Sequence, residues 1–463
     1  MILFKMRKMR KLILISTFVF LTTGALWFKA SPTSTFCTQH NNNWKVLLSE
    51  ALPDGTHELV AYSAYYDNRT AGKQHIRIIS ATNFTDDDRL YCELLYEDGQ
   101  TIASTVEIVT LNQQSNVKYP AVFVLCEIPM KIKEEQNKAS LPIYEQQRAL
   151  GKPCAVSFSI HHSKENEEGK LKDYIPVQYQ SNGHGAKIKM RNFAVCLPPY
   201  SIDNISPEHL VEYLELYQLL GVQDFYAYSN SETIPKETKQ VVDFYINKGR
   251  LTVLPWKPFS DTQDTNYEMA AINDCLYRTM FRYHYVIFTG PMDFIIPHVK
   301  DNKNLGALME HLDRTTVRPG SFAIRRAVFH TKPENHINLD TIEQYTEKIN
   351  ISEKQTFLDQ TRKCITMMNV RRLQFQARRK GTSVISIPER VIEMGSVFAW
   401  KHVTGYWGVD VPGEEAIVHS YIPCQGICED NQKLVYNDVT IHKWIYKLWR
   451  NVNTVLKQMS TIS

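Results

Sequence analysis

Tyr285-Val286-Ile287-Phe288 runs directly into Thr289-Gly290-Pro291-Met292-Asp293-Phe294-Ile295-Ile296-Pro297. The first four residues read as a short buried strand, the next five as a tight turn, and Phe294 to Pro297 as a second apolar run. A strand that ends in an acidic turn and re-enters the core holds a carboxylate at its carboxyl end, where a metal or a charged ligand can meet it. Such turns normally carry two or three carboxylates, and Asp293 is the one carboxylate of this turn. Alternation along the second run sends Phe294 and Ile296 into the core and turns Asp293 toward the cleft. An Asp293→Asn change is therefore expected to weaken ligand binding and leave the melting temperature nearly unchanged.

Upstream of this stretch the pattern alternates. Phe193 to Leu197 is an apolar strand. Ser206-Pro207-Glu208 opens a helix with a capping serine and a first-turn proline, His209 to Leu220 is apolar at helical spacing, and Gly221 stops it. Asp224 to Tyr228 reads as a strand, Pro235 to Lys248 as a helix, Leu251 to Pro255 as a strand, and Tyr267 to Tyr283 as a helix feeding the strand at Val286. This alternation predicts an α/β unit, a parallel sheet with helices on both faces, whose ligands bind beyond the carboxyl ends of the strands. Before it, from 46 to 185, the signal is β. Leu59 to Tyr66, Ile76 to Ser80, Tyr91 to Tyr96, Ile102 to Leu111 and Ala121 to Pro129 have strand composition and are separated by turn residues.

The remaining organisation follows from composition. Lys5, Arg7, Lys8, Arg10 and Lys11 precede an uncharged span from Leu12 to Phe28. This predicts a cytoplasmic tail at 1–11, a transmembrane anchor at 12–28 and a luminal remainder; a cleaved signal peptide is the rival reading. Residues 29–45 read as a stem, 46–185 as a β-rich luminal domain, 190–430 as the α/β domain, and 431–463 as a C-terminal helical segment. In that last segment Trp444, Ile445, Leu448, Trp449, Val452, Val455 and Leu456 recur at helical spacing and are expected to pack on the α/β domain. Without the five basic residues of the tail, the formal net charge of +4 falls to −1 for the rest of the chain. No nucleic-acid footprint remains in that balance. Nine cysteines in an oxidising lumen should mostly pair, leaving one free or intermolecular, and Cys424 and Cys428, which lack the companion pair of a zinc site, read as disulfide-forming. Sequons at Asn68, Asn83 and Asn350 suit a luminal chain.

The segments Ala194 to Tyr200, Gly221 to Tyr228, Gly249 to Trp256, Ala271 to Arg278, Tyr285 to Pro297, Ser386 to Val391 and Val418 to Tyr421 occur in the order in which glycosyltransferase family 92 carries its motifs, and over roughly 190–425 the chain resembles that family. The resemblance implies a Golgi single-pass type II membrane protein with a GT-A-like, Rossmann-type catalytic domain. It also implies inverting transfer of a sugar, typically galactose, from a nucleotide sugar such as a UDP-sugar to a glycan acceptor. The family turn reads Asp-x-Asp-Glu-Phe. Here Gly290 and Met292 stand at the two Asp positions and Asp293 at the Glu. Mn²⁺ prefers hard oxygen ligands, so the expected metal and donor contacts reduce to Asp293, joined by His419 or His402. Where the family tends to read His-Tyr-Arg, this chain has Ser420-Tyr421-Ile422. The alternative is a catalytically degenerate relative that binds glycans or partners.

An inverting transfer needs a carboxylate base. The candidates are Asp264, Glu268, Asp274, Glu389 and Glu414. Asp264 and Glu268 could instead cap a helix, and Asp274 could instead pair with Arg278 one turn on. Arg325-Arg326 are candidates for phosphate and equally for a solvated strand edge. Trp256, Trp400 and Trp407 could stack on sugars or fill the core.

Overall fold

The computed structural model describes residues 37, 43–70, 73–85, 88–112, 118–129, 152–160, 173–179, 191–257, 267–298, 304–331, 357, 364–378, 381–423 and 436–460. The anchor expected at 12–28, the sequon at Asn350, Asp264, Cys424 and Cys428 lie outside them. Among the described residues no helix is long and apolar enough to cross a membrane.

The first unit is a β sheet of eight strands: β1 (Lys45–Leu52), β2 (Gly55–Asp67), β3 (His75–Thr82), β4 (Tyr91–Tyr96), β5 (Thr101–Thr110), β6 (Ala121–Glu127), β7 (Pro153–Ser159) and β8 (Ile175–Gln178). Their order is β1-β2-β3-β6-β5-β4-β7-β8, and β8 pairs back onto β2, closing the sheet on itself. The period-2 pattern of β6 shows why both its faces are apolar. Val122, Val124 and Cys126 enter the barrel core, while Ala121, Phe123 and Leu125 face a second core shared with the following unit. Disulfides Cys37–Cys154 and Cys92–Cys126 staple this unit. Asn68 is exposed after β2, whereas the Asn83 carboxamide is bonded to Glu58 N and Thr56 O.

The second unit is mixed α/β. Its leading elements are β9 (Arg191–Cys196), α1 (Pro207–Leu220), β10 (Asp224–Ser229), α2 (Lys236–Asn247), β11 (Leu251–Pro255), α3 (Glu268–Thr279), β12 (Tyr283–Phe288), β13 (Asp293–Pro297), α4 (Leu305–Thr315) and β14 (Pro319–Thr331). There follow α5 (Ile365–Met368), β15 (Arg371–Phe375), β16 (Thr382–Ser386), β17 (Val391–Met394), β18 (Ala399–His402), β19 (Trp407–Val411), β20 (Ala416–Pro423), β21 (Tyr436–Asn437) and α6 (Ile445–Ser460). The sheet runs β11-β10-β9-β12-β16-β14-β15-β21. β11, β10, β9 and β12 are mutually parallel, and β16 is antiparallel to both β12 and β14. β14 is long enough to serve four partners, with β19 beside Pro319 to Ile324 and β15 beside Ala327 and Phe329. Ser321 to Arg325 pair with β16, and Arg326 to Thr331 pair with β20, which in turn pairs antiparallel with β13.

Local chemistry explains the boundaries. The Ser206 side chain accepts from His209 N at 3.3 Å, Pro207 opens α1, and Gly221 ends it at φ 109°, a left-handed conformation that glycine adopts without strain. The helix expected to run to Tyr283 stops at Thr279. Met280 is extended, Phe281 takes φ 60°, and the chain joins β12 at Tyr283 because Tyr283 pairs with Arg191 across β9. The sheet's hydrogen bonds outweigh the helical periodicity there. Trp444, Ile445, Leu448, Trp449, Val452 and Val455 join the core that includes α1, so α6 packs on the α/β unit as its spacing implies.

α3 lies between the barrel and the sheet. Its Asp274 is fully buried and accepts from Ser63 Oγ at 2.5 Å, Tyr65 OH at 2.6 Å, Tyr228 OH at 2.6 Å and the Arg278 guanidinium at 2.9 and 3.1 Å. One buried carboxylate thus ties two units together, with five donors offsetting its desolvation.

Candidate active site

A cavity of about 240 Å³ opens where β9 and β12 end. Cys196 and Phe288 close the strand ends, Gly290 and Asp293 come from the turn, Glu268 from the first turn of α3, and Arg326 from the middle of β14. This is the carboxyl-end position expected of an α/β sheet. A larger concavity of about 530 Å³ lies around His284, Asp313 and Arg390, at the amino end of β12. It lies at the wrong end of the parallel strands, and the chemistry concentrates in the smaller one.

Three neighbours in sequence hold α3 over the cavity. Asn273 exchanges hydrogen bonds with the Met394 backbone at 2.9 Å each way, which sets Ser396 and Val397 on the cavity wall. Asp274 anchors the barrel as described, and Cys275 is disulfide-bonded to Cys196 at the end of β9. The Ala271–Arg278 motif therefore supplies anchors, and the group it aims is Glu268. Burial pushes the Glu268 carboxyl above its ordinary range. Such a carboxylate is a stronger base near neutral pH than an exposed one.

The turn is fixed from below. Asp293 N donates to Gly290 O at 3.1 Å, and Tyr217 OH of α1 donates to Asp293 O at 3.0 Å while accepting from Ile295 N at 3.1 Å. The Asp293 carboxylate accepts from Arg326 Nη2 at 2.8 Å and from the Ser420 hydroxyl, opposite it in register on β20. Burial raises its pKa, and the Arg326 guanidinium offsets that only in part. The short ion pair and the raised pKa point in different directions. The geometry establishes the contact, while the shift says that desolvation outweighs the attraction, as is usual for a buried pair.

Asp293 thus faces the cavity, as the alternation predicts, but it is also a buried ion-pair partner, with a side chain only 11 % exposed. His419 does not join it. His419 is opposite Phe294 in register, so it projects from the other face of the β13–β20 pair, stacked on Phe329 at 4.5 Å between ring centroids. The expected pairing of Asp293 and His419 as ligands of one metal is corrected by this one-residue offset. Burial drives the His419 ring down to a pKa of about 3. His402 is bonded to Ser321 at 2.9 Å and does not line the cavity. Gly290 offers no side-chain oxygen, and Met292 packs against the main core. The donor set of the turn does not fit Mn²⁺: the one carboxylate oxygen nearest the cavity cation is already engaged by it.

The other expected residues separate clearly. Asp274 is a structural hub. Glu389, its carboxyl raised by burial, sits in the short turn at 388–390, and Glu414 is exposed before β20. Trp256 is 1 % exposed and packs edge-on against Tyr62 and Tyr228, so it is core. Trp400 and Trp407 are exposed. Arg325 lies over the Phe375 ring at 4.9 Å, while Arg326 reaches the cavity. Ser396 carried no signal in the sequence, and Ser420 stood out only as a departure from the family pattern; strand register brings Ser420 to Asp293, and the Asn273 clamp brings Ser396 to the cavity wall.

The sequence model of Glycosyltransferase family 92 matches residues 191–457, more than half of the chain. The Beta-1,4-galactosyltransferase galt-1 of Caenorhabditis elegans is 23 % identical over 244 residues, covering 52 % of either chain. The chain thus spans about half the length of that curated relative. Among solved structures, a mycobacterial protein overlaps with a TM-score of 0.23 at 12 % identity, covering 62 % of this chain and 81 % of its own. The bifunctional glycosyltransferase WbbM overlaps with a TM-score of 0.20 at 13 % identity, covering 48 % of this chain and 36 % of its own. The mannosyltransferase Ktr4p of S. cerevisiae, in complex with GDP, gives 0.18 at 12 %, covering 44 % and 58 %. Overlaps this slight carry no argument about fold or activity.

Proposed function

Since the chain belongs to glycosyltransferase family 92, we propose that it transfers a sugar from a nucleotide-sugar donor to a glycan acceptor in the cavity at the ends of β9 and β12. The observation that carries this reading is the meeting of Glu268, raised by burial, with the Arg326 guanidinium in one cavity at the strand ends. Glu268 takes the proton of the acceptor hydroxyl as that oxygen bonds to the anomeric carbon. The bond from that carbon to the nucleoside diphosphate breaks with inversion, and the diphosphate leaves with the electron pair. Arg326 faces the departing negative charge, and Asp293 positions Arg326. No step is assigned to Mn²⁺, for which the turn lacks ligands.

The same proposal extends to a UDP-sugar donor with galactose as the sugar, to a GT-A arrangement of the domain, and to a Golgi single-pass type II protein anchored by 12–28. The strand order β11-β10-β9-β12-β16-β14 supports the GT-A reading. One observation favours the second reading, a catalytically degenerate relative that binds glycans or partners: the turn has lost two carboxylates and its cation is already paired. The test is binding and turnover of UDP-galactose by the purified full-length chain, in Mn²⁺ and in EDTA. Turnover that persists in EDTA and is lost in Glu268→Gln with donor binding retained is the expected result. Donor binding without turnover under either condition selects the degenerate reading. Absence of any nucleotide-sugar binding refutes the transferase reading.

A further inference from the structure

Behind the β13–β20 pair, on the face away from the cavity, three polar side chains converge, two of them buried and one half-buried, that glycosyl transfer does not use. His298 follows β13, His419 lies in β20, and Asp438 follows β21. The two imidazole Nε2 atoms stand 3.4 Å apart, and Asp438 Oδ2 is 3.7 Å from the first and 3.6 Å from the second. We propose that this triangle is a binding site for a divalent first-row transition ion, with Zn²⁺ the best match.

The spacing carries the argument. N–H···O hydrogen bonds are about 2.7–3.2 Å long, so these three atoms are too far apart to bond one another well. Ligand atoms held about 2.0–2.2 Å from a tetrahedral ion stand about 3.3–3.6 Å from one another. The observed edges of 3.4 and 3.6 Å fall within that range and the third, 3.7 Å, lies just beyond it, and a point between them lies within bonding reach of all three. Two imidazoles and one carboxylate suit zinc and its neighbours, whereas Mg²⁺ and Ca²⁺ select oxygen alone. His419 is 0 % exposed, and the polar atoms its Nε2 meets, His298 Nε2 at 3.4 Å and Asp438 Oδ2 at 3.6 Å, both stand beyond ordinary hydrogen-bond length.

The surroundings orient the ligands. Asp438 Oδ1 accepts from Thr440 N at 3.1 Å, and Oδ2 accepts from Arg372 Nε at 3.1 Å. A carboxylate oxygen has a second lone pair, so Oδ2 meets Arg372 and still addresses the triangle. Lys443 donates to Pro297 O close by, and with Arg372 it makes the local charge balance positive. The imidazoles, not net charge, must therefore hold the ion, which selects a nitrogen-loving metal. His298 is the least buried ligand, its side chain 15 % exposed, and gives the ion a route in and a place for a water as fourth ligand. The bound ion fastens the end of β13, whose other end is the Asp293 turn, to β20 and to the segment entering the C-terminal helix.

The test uses the purified full-length chain. Metal content after gel filtration is measured by mass spectrometry, Zn²⁺ affinity by competition with a chromogenic chelator, and ligand geometry by the visible spectrum of the Co²⁺ form. Wild type should retain one equivalent of zinc, and Co²⁺ should give the intense bands of a tetrahedral N/O site. His298→Gln and Asp438→Asn, each checked for folding by near-ultraviolet circular dichroism, should weaken zinc by at least about 100-fold. Cys364→Ser, which removes the one free thiol among the described residues, should leave affinity unchanged. Wild type that holds no stoichiometric zinc at micromolar free metal, or folded His298→Gln and Asp438→Asn proteins of wild-type affinity, would overturn the proposal. Neither result depends on whether the cavity turns over a sugar.

Discussion

Replacing Asp293 by Asn separates its two roles. The substitution keeps the shape of the side chain and removes its charge, leaving Arg326 without a counter-ion. Breaking a fully buried pair costs about 3–5 kcal/mol, and a hydrogen bond to a charged group is worth about 1.5–3 kcal/mol. Arg326 is 24 % exposed, so water screens part of the loss. The Asp293 carboxyl is raised by burial, so removing its charge also relieves some desolvation. The lower part of the range applies, and the expected cost is about 2 kcal/mol. For a unit of this size about 2–4 °C accompanies each kcal/mol, so the melting temperature should fall by about 4–8 °C. This replaces the expectation, drawn from strand alternation alone, that melting would hardly change. Urea titration of the full-length chain at pH 7, with Arg326→Met and the double variant completing a cycle, measures the coupling directly. A coupling of about 1–2 kcal/mol is expected, together with weakened UDP-sugar binding per folded molecule. An Asp293→Asn protein within about 0.5 kcal/mol of wild type, combined with zero coupling to Arg326, would refute the claim that the pair holds the turn.

Glu268→Gln should lower turnover by about 10²–10⁴-fold with donor affinity within a few-fold of wild type, read from initial rates and nucleotide-sugar titration; equal losses in both would assign Glu268 to donor binding instead. A Cβ at Gly290 would stand 3.7 Å from Asp293 Oδ2, ordinary contact, so Gly290→Asp should fold normally, weaken donor binding in EDTA and gain Mn²⁺ dependence. Met292→Asp, by contrast, sets a carboxylate against the main core and should cost about 2 kcal/mol or more in a urea titration. Glu212 in α1 accepts from Ile365 N and Thr366 N at 2.9 Å and from the Thr366 hydroxyl, yet burial pushes its carboxyl up to about 7. The folded state therefore keeps a proton that the unfolded chain has released. Stability should fall by about 3 kcal/mol as pH rises from about 4.5 to 7, and Glu212→Gln should flatten that slope even though its amide faces the Ile365 N–H less well; an unchanged slope would exclude Glu212 as its source.

Much of the architecture is written in local pattern. The strand–helix alternation from Phe193 to Phe288, the Ser206 cap and the Gly221 stop each depend on neighbours within a few residues. Their elements stand where the period places them, because apolar periodicity fixes which face is buried. The strands at 45–52, 153–159 and 175–178 are absent from the strands expected on composition. β7 and β8 hold their places by pairing with strands far away in sequence, and helix α3 was over-extended because a pairing across β9 claimed its last residues.

The site divides in the same way. That Asp293 turns into a cavity at a strand end, and that the turn has lost its metal carboxylates, follows from the residues at 285–297 alone, since strand alternation and ligand chemistry are local. Which cation meets Asp293 is not local. Arg326 reaches it because β14 pairs from that residue onward with β20, whose Ser420 lies opposite Asp293. Nor could spacing tell that His419 faces away from Asp293, because the register of β20 against β13 sets that, and a slip of one residue would exchange the two faces. His298 and Asp438, 140 residues apart, meet on that far face for the same reason. Local periodicity decides which side chains share a face of one element, and only the pairing of distant strands decides whose faces meet.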